Sequence, residues 1–143
     1  MKFSLFVFIL FFSSNIAFSQ DHIKKHTSDK VMIETTIQNY FDGWMTGDTI
    51  LLSKAMHSTC NLKFIRDNKL VMMNKQKYIG NFKPRPKLND TEGRIISINI
   101  TRTAAAAKVE IETPKRHFTD YFNLLKEGGQ WYITDKISTS VGK

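Results

Sequence analysis

From His117 to Thr139 apolar and polar residues alternate along two runs that meet at Gly128-Gly129. Alternation with period two predicts β-strands, and paired glycines supply the positive φ angles of a two-residue hairpin turn. Pairing Glu127 with Gln130 sets Leu124 opposite Ile133, Phe122 opposite Asp135 and Asp120 opposite Ile137. Strict alternation then sorts the side chains. One face holds Phe118, Asp120, Phe122, Leu124, Trp131, Ile133, Asp135 and Ile137. The other holds Thr119, Tyr121, Asn123, Leu125, Tyr132, Thr134, Lys136 and Ser138. The first face is apolar apart from two carboxylates on neighbouring strands.

Upstream the period changes. Ile33, Ile37, Tyr40, Phe41 and Trp44 recur at helical spacing, with Glu34, Gln38, Asn39 and Asp42 opposite. Ser28 or Asp29 is placed to cap this helix, which runs to about Met45. Gly43 inside it suits a close approach, and Gly47 suits its C-terminal end. Asp48 caps a second helix over Thr49 to Met56, and His57 follows at the handover to a strand. Asn61 to Arg66 and Lys69 to Met73 read as a hairpin across Asp67-Asn68, with Leu62, Phe64, Leu70 and Met72 on one face. Asn74 caps a short helix through Tyr78 and Phe82. Lys83 to Gly93, stiffened by Pro84 and Pro86, is the longest irregular stretch. Arg94 to Thr101 and Ala104 to Thr113 form a further hairpin, with Ile96, Ile98 and Ile100 facing Ala105, Ala107, Val109 and Ile111. Three helices mixed with short strands, then four longer antiparallel strands, predict an α+β fold with helices on one face of a curved sheet.

The N-terminus departs from this pattern. Lys2, the apolar run from Phe3 to Phe12 and the small residues Ala17 and Ser19 read as a cleaved secretory signal peptide over residues 1–19. The apolar run is too short to cross a bilayer comfortably. Residues 20–29, with His22 and His26, read as a flexible tail, leaving residues 30–143 as one domain. The expected location is secreted or periplasmic, with no stable membrane insertion once the leader is removed.

Composition narrows the chemistry. The single cysteine, Cys60, excludes an internal disulfide framework, so packing must hold the fold. The net charge of +8 is scattered rather than gathered into a basic helix or an aromatic-basic motif, and no nucleic-acid partner is expected. No ligand triplet has the spacing of a metal site, and no cofactor is expected.

Several stretches resemble the nuclear transport factor 2-like superfamily and, within it, the putative lumazine-binding branch of exported bacterial proteins. They are Tyr40-Phe41-Asp42-Gly43-Trp44 with Gly47-Asp48, Lys54-Ala55-Met56-His57, Gly93-Arg94-Ile95, and Thr119 to Lys126 with Trp131 and Lys136. The resemblance covers nearly the whole mature chain. It implies a cone, a cystatin-like α+β arrangement in which a bent sheet wraps a helix layer and leaves a cavity at its open end. Members include ketosteroid isomerases, polyketide cyclases, dehydratases and many non-catalytic binding domains.

Tyr40, Trp44, His57, Phe64, Asp120 and Asp135 are the candidate cavity residues. Aromatic walls suit a flat or apolar molecule. A carboxylate on an apolar face suits a general base, and His57 is its candidate partner in a catalytic pair. Each also has a plainer use. Asp120 can pair with Lys136 or Arg94, Asp135 can sit in water at the rim, and His57 can cap the helix it follows. Tyr121, Leu125 and Tyr132 make the opposite face of the last hairpin half apolar, as at a protein interface. The expectation is an exported homodimer that binds a small organic ligand without catalysis. The alternatives are a cofactor-free isomerase, cyclase or dehydratase using Asp120 and His57, and an interaction module with a vestigial cavity.

Overall fold

A computed structural model describes the backbone of residues 14–143 and the side chains of residues 28–143. The expected leader as far as residue 13 lies outside the described residues. So do the side chains of the expected tail as far as Thr27, His22 and His26 among them.

Three helices, α1 (Ser14–Thr46), α2 (Thr49–Ala55) and α3 (Lys75–Ile79), accompany six strands. These are β1 (Met56–Arg66), β2 (Lys69–Asn74), β3 (Glu92–Thr101), β4 (Ala104–Glu112), β5 (Arg116–Glu127) and β6 (Gln130–Gly142). They form one sheet in the order β2-β1-β6-β5-β4-β3, antiparallel throughout except where β1 runs parallel to β6. The α+β class expected from the periodicities is the observed one. Among the described residues no helix is long and apolar enough to cross a membrane.

The apolar stripe of α1 makes the core: Ile33, Ile37, Tyr40 and Phe41 are buried against Leu52, Val109, Phe122, Leu124, Trp131 and Ile133. The backbone of α1 begins at Ser14, so Asp29 lies inside the helix rather than at its cap. Its buried carboxylate instead accepts from Lys126 Nζ at 2.6 Å and Trp131 Nε1 at 3.1 Å. Two turns on, Thr36 Oγ1 donates to the Trp131 carbonyl at 2.9 Å. Helix and sheet are therefore stitched together around one tryptophan. At the other end of α1, Arg85 from the proline-rich loop donates to the carbonyls of Trp44 and Met45, satisfying acceptors that a helix terminus leaves open. Asp48 caps α2 through Ile50 N and Leu51 N, and Asn74 caps α3 through Lys77 N, both as expected.

The turns match expectation too. Gly128 and Gly129 have φ of 55° and 82°, and Asp67 and Asn68 have 51° and 57°, the left-handed pairs that two-residue hairpins require. Across the second turn, however, Phe64 pairs with Val71 and Leu62 with Met73. Val71 and Met73 thus share the inner face, whereas Leu70 and Met72 are exposed on the other.

Two bulges alter the expected faces. In β3 the register shifts between Ile95 and Ser97, so Ile95, Ile98 and Ile100 pack inward and Ile96 is the extra, exposed residue. In β6 it shifts at Thr134, between the pairs Leu124–Ile133 and Asn123–Asp135. Beyond that point strict alternation inverts. Phe122 pairs with Lys136 rather than Asp135, and Asp120 with Ser138 rather than Ile137. Lys136 and Ser138 join the inner face, while Asp135 and Ile137 turn outward, with Ile137 half exposed. An inserted residue bends and twists a strand locally, so both bulges contribute to the curvature of the sheet.

Candidate functional site

Beyond the β6 bulge the inner face of β1, β6 and β5 forms successive rows. Deepest are Leu62, Lys136 and Phe122, aligned by the pairs Leu62–Lys136 and Phe122–Lys136. Next come Phe64, Ser138 and Asp120, then Ser140 with Phe118, and finally Arg116, paired with Gly142 at the strand ends. A cavity of about 860 Å³, partly open to solvent, runs along these rows and extends past the strand edges to Ile65, Leu70, Ile137 and Thr139 of the other parity. Trp44 from α1 and Tyr78 from α3 complete its wall.

The floor is polar but internally satisfied. Asp120 Oδ2 lies 2.7 Å from Lys136 Nζ, and its Oδ1 accepts from Ser138 Oγ at 2.5 Å. Asp120 is 2% exposed and Lys136 4% exposed, so this ion pair is sealed from water. Burial pulls the Lys136 ammonium below the ordinary lysine range, and Asp120 opposes that fall. The ammonium also stands 5.7 Å above the Tyr40 ring and 6.0 Å above Phe122, within range of cation–π attraction. Behind it the hydroxyls of Tyr40 and Tyr78 share a 2.7 Å hydrogen bond. Burial raises both phenols above the ordinary tyrosine value; for Tyr40 the neighbouring Tyr78 and Asp120 add to the rise. Burial, followed by the charge of Asp135, pushes the Cys60 thiol up to about 12, so it holds its proton and is no nucleophile at neutral pH.

Of the candidate residues, Trp44, Phe64 and Asp120 line the cavity. Tyr40 is wholly buried behind the wall, against the lining residues Tyr78 and Lys136. Asp135 does not belong to the site. The bulge turns it to the outer face, where Lys63 Nζ meets it at 2.6 Å. His57 does not belong to it either. Met56 points into the core, so the next residue of β1 points outward. There His57 Nε2 meets Glu127 at 3.1 Å, Nδ1 meets Thr59 Oγ1 at 2.7 Å, and its ring lies 5.8 Å from that of Tyr132. The expected Asp120–His57 pair is thus not formed: each residue is engaged elsewhere.

Pattern reading offers Lys136 as a partner of Asp120 while placing it on the outer face, and it misses Ser138, Tyr78, Arg66 and Arg116. For the two arginines a signal was present. Each stands two residues from a cavity phenylalanine, Phe64 or Phe118, and so on the same strand face.

The family model described as "Putative lumazine-binding" matches residues 28–137, most of the chain and most of the rows just described. The chain belongs to the putative lumazine-binding family. It has the nuclear transport factor 2-like fold, with helices packed on a six-stranded, mostly antiparallel sheet. A nuclear transport factor 2-like protein of unknown function from Shewanella baltica OS155 is 28% identical and superposes with a TM-score of 0.74 over 82% of this chain and 97% of its own. One from Methylobacillus flagellatus KT is 26% identical, with a TM-score of 0.65 over 78% of this chain and 90% of its own. A Nostoc punctiforme domain with a cystatin-like fold shares the architecture at 13% identity and a TM-score of 0.59, covering 79% of this chain and 77% of its own. No curated protein sequence matches the chain.

Proposed function

We propose that this member of the putative lumazine-binding family is an exported domain that holds a small organic molecule in its cavity without transforming it. The observation that carries the reading is a cavity of about 860 Å³ whose one buried carboxylate is neutralised by its own neighbours. A general base needs an oxygen within reach of the proton it abstracts. Both oxygens of Asp120 are engaged, by Lys136 and Ser138. The separation of His57 from Asp120 speaks further against the isomerase, cyclase or dehydratase alternative, and the size of the cavity speaks against a vestigial one. Native mass spectrometry of the purified protein tests the reading. A retained organic ligand, released on unfolding and recovered chemically unchanged, is expected; an empty protein that no small aromatic compound stabilises against heat would overturn it.

Export rests on the leader pattern of residues 1–19. N-terminal sequencing of secreted or periplasmic protein should start at Gln20. Homodimerisation rests on the outer sheet face, where Tyr121, Leu125 and Ile137 are about half exposed and Tyr132 lies opposite Leu125. Light scattering should return twice the chain mass for the wild type and one chain mass for Tyr121→Glu.

A further inference from the structure

The cavity mouth differs from its floor in charge. Four basic residues, Lys63, Arg66, Arg116 and Lys136, are among the lining residues, against one acidic residue, Asp120. Asp120 is committed to Lys136, and Lys63 is committed to Asp135 on the outer face. The two arginines remain. Among the described residues no ion pair joins either guanidinium to a carboxylate. Arg66 instead lies over the Phe64 ring at 5.0 Å, and Arg116 Nη1 donates to Ser140 Oγ at 3.1 Å. Both stand on the inward-facing parity of their strands, Arg66 beyond Leu62 and Phe64 on β1 and Arg116 beyond Phe122, Asp120 and Phe118 on β5, at the exposed strand ends. Directly inside them come the aromatic walls: Phe64 on β1, and Phe118 on β5 edge to face with Trp44 at 5.6 Å.

We infer that the cavity takes a small aromatic anion, with its ring between Phe64, Phe118 and Trp44 and its oxyanion held at the mouth by Arg66 and Arg116. The rows dictate this order. An anion placed deep would meet Asp120, whereas a ring placed at the mouth would leave the aromatic layer in contact with water. Guanidinium donors match carboxylate, sulfonate and phosphate oxygens alike, so the shared requirement is a planar apolar body with one such group at its end. The +8 formal charge of the chain draws anions toward the protein, and the two arginines fix where the anion docks.

This inference rests on the cavity being a binding site, and a matched pair of probes separates the two statements. Anilinonaphthalene sulfonate and its uncharged parent, phenylnaphthylamine, share an aromatic body and differ in the anion. The wild-type protein should bind the sulfonate at least about tenfold more tightly than the parent, and rising salt should narrow the gap. The double variant Arg66→Gln, Arg116→Gln should lose at least about tenfold in sulfonate affinity while binding of the parent changes less than about twofold. Both side chains are exposed, so an unchanged circular dichroism spectrum is expected of the variant. The Trp44 indole N–H resonance should move on binding and that of buried Trp131 should not. Naphthoate and naphthyl phosphate should displace the sulfonate, and the stronger competitor identifies the oxyanion; inorganic phosphate alone should not displace it. Equal affinity for both probes, or a sulfonate affinity indifferent to the arginines, would overturn the inference and leave the cavity reading standing. Failure of every aromatic probe to bind would overturn both.

Discussion

Lys136 and Asp120 meet at 2.7 Å inside the sheet because Thr134 is an extra residue in β6. Were Thr134 instead paired in strict register, the lysine would face outward and Asp135 would take its place beside Phe122. The bulge is held by the residue that makes it, since Thr134 Oγ1 donates to the Asn123 carbonyl at 3.1 Å. A one-residue change of register thus converts an apolar face with two carboxylates into a cavity floor with one neutral ion pair. Bulges are known for re-aiming side chains in this way.

The paired tyrosines should respond unequally to loss of a hydroxyl. Tyr78→Phe leaves the Tyr40 hydroxyl fully buried without its partner, which should cost about 1–3 kcal/mol. Tyr40→Phe leaves the Tyr78 hydroxyl beside the cavity, where water can replace the lost bond, so the cost should be smaller. Urea denaturation of the two single variants measures the difference directly.

Alkaline conditions should unfold the protein through the same pair. Both phenols have folded pKa values above the unfolded value of 10.0. Below pH 10 their contribution to stability is constant. Above it the unfolded chain ionises while the folded one keeps both protons, so stability falls as pH rises. Absorbance at the tyrosinate band should show two of the four tyrosines ionising only together with the loss of circular dichroism.

Gly93→Ala should destabilise the join between β3 and α1. A Cβ at that position would lie 2.6 Å from the Phe41 ring, which is itself packed in the core. Overpacking of this kind should cost about 1–3 kcal/mol, read as a lower urea midpoint with an unchanged slope. The glycine also explains why Gly93-Arg94-Ile95 forms a recognisable stretch: the sheet edge needs a residue without a side chain where the helix crosses.

Local chemistry made much of the fold legible. Glycine pairs, Asp67-Asn68 and the caps at Asp48 and Asn74 act within a few residues, and each is found where its chemistry places it. Faces are legible on β5 from Phe118 to Leu124 and on β4 from Ala105 to Ile111, but not on β2, where the two-residue turn at Asp67-Asn68 sets Val71 and Met73 inward in place of Leu70 and Met72. Alternation misleads at Ile96 alone in β3, where Ile98 and Ile100 keep the expected face, but past Thr134 in β6 the one inserted residue inverts every side chain beyond it. Neither bulge residue is a glycine, so nothing local announces the insertion. The partners of Asp29 were illegible for another reason. Trp131 and Lys126 lie about a hundred residues away in sequence, and a carboxylate near a helix start otherwise reads as a cap.

The most direct test is a double-mutant cycle across the ion pair, followed by urea denaturation of Asp120→Asn, Lys136→Met and the two combined. With both groups buried and paired, each single change should cost about 3–5 kcal/mol, because it strands the other partner. The double variant should then cost clearly less than the sum of the two. Single costs within about 0.5 kcal/mol that simply add would mean that Lys136 stands in water, as strict alternation has it, and would contradict the cavity floor described above.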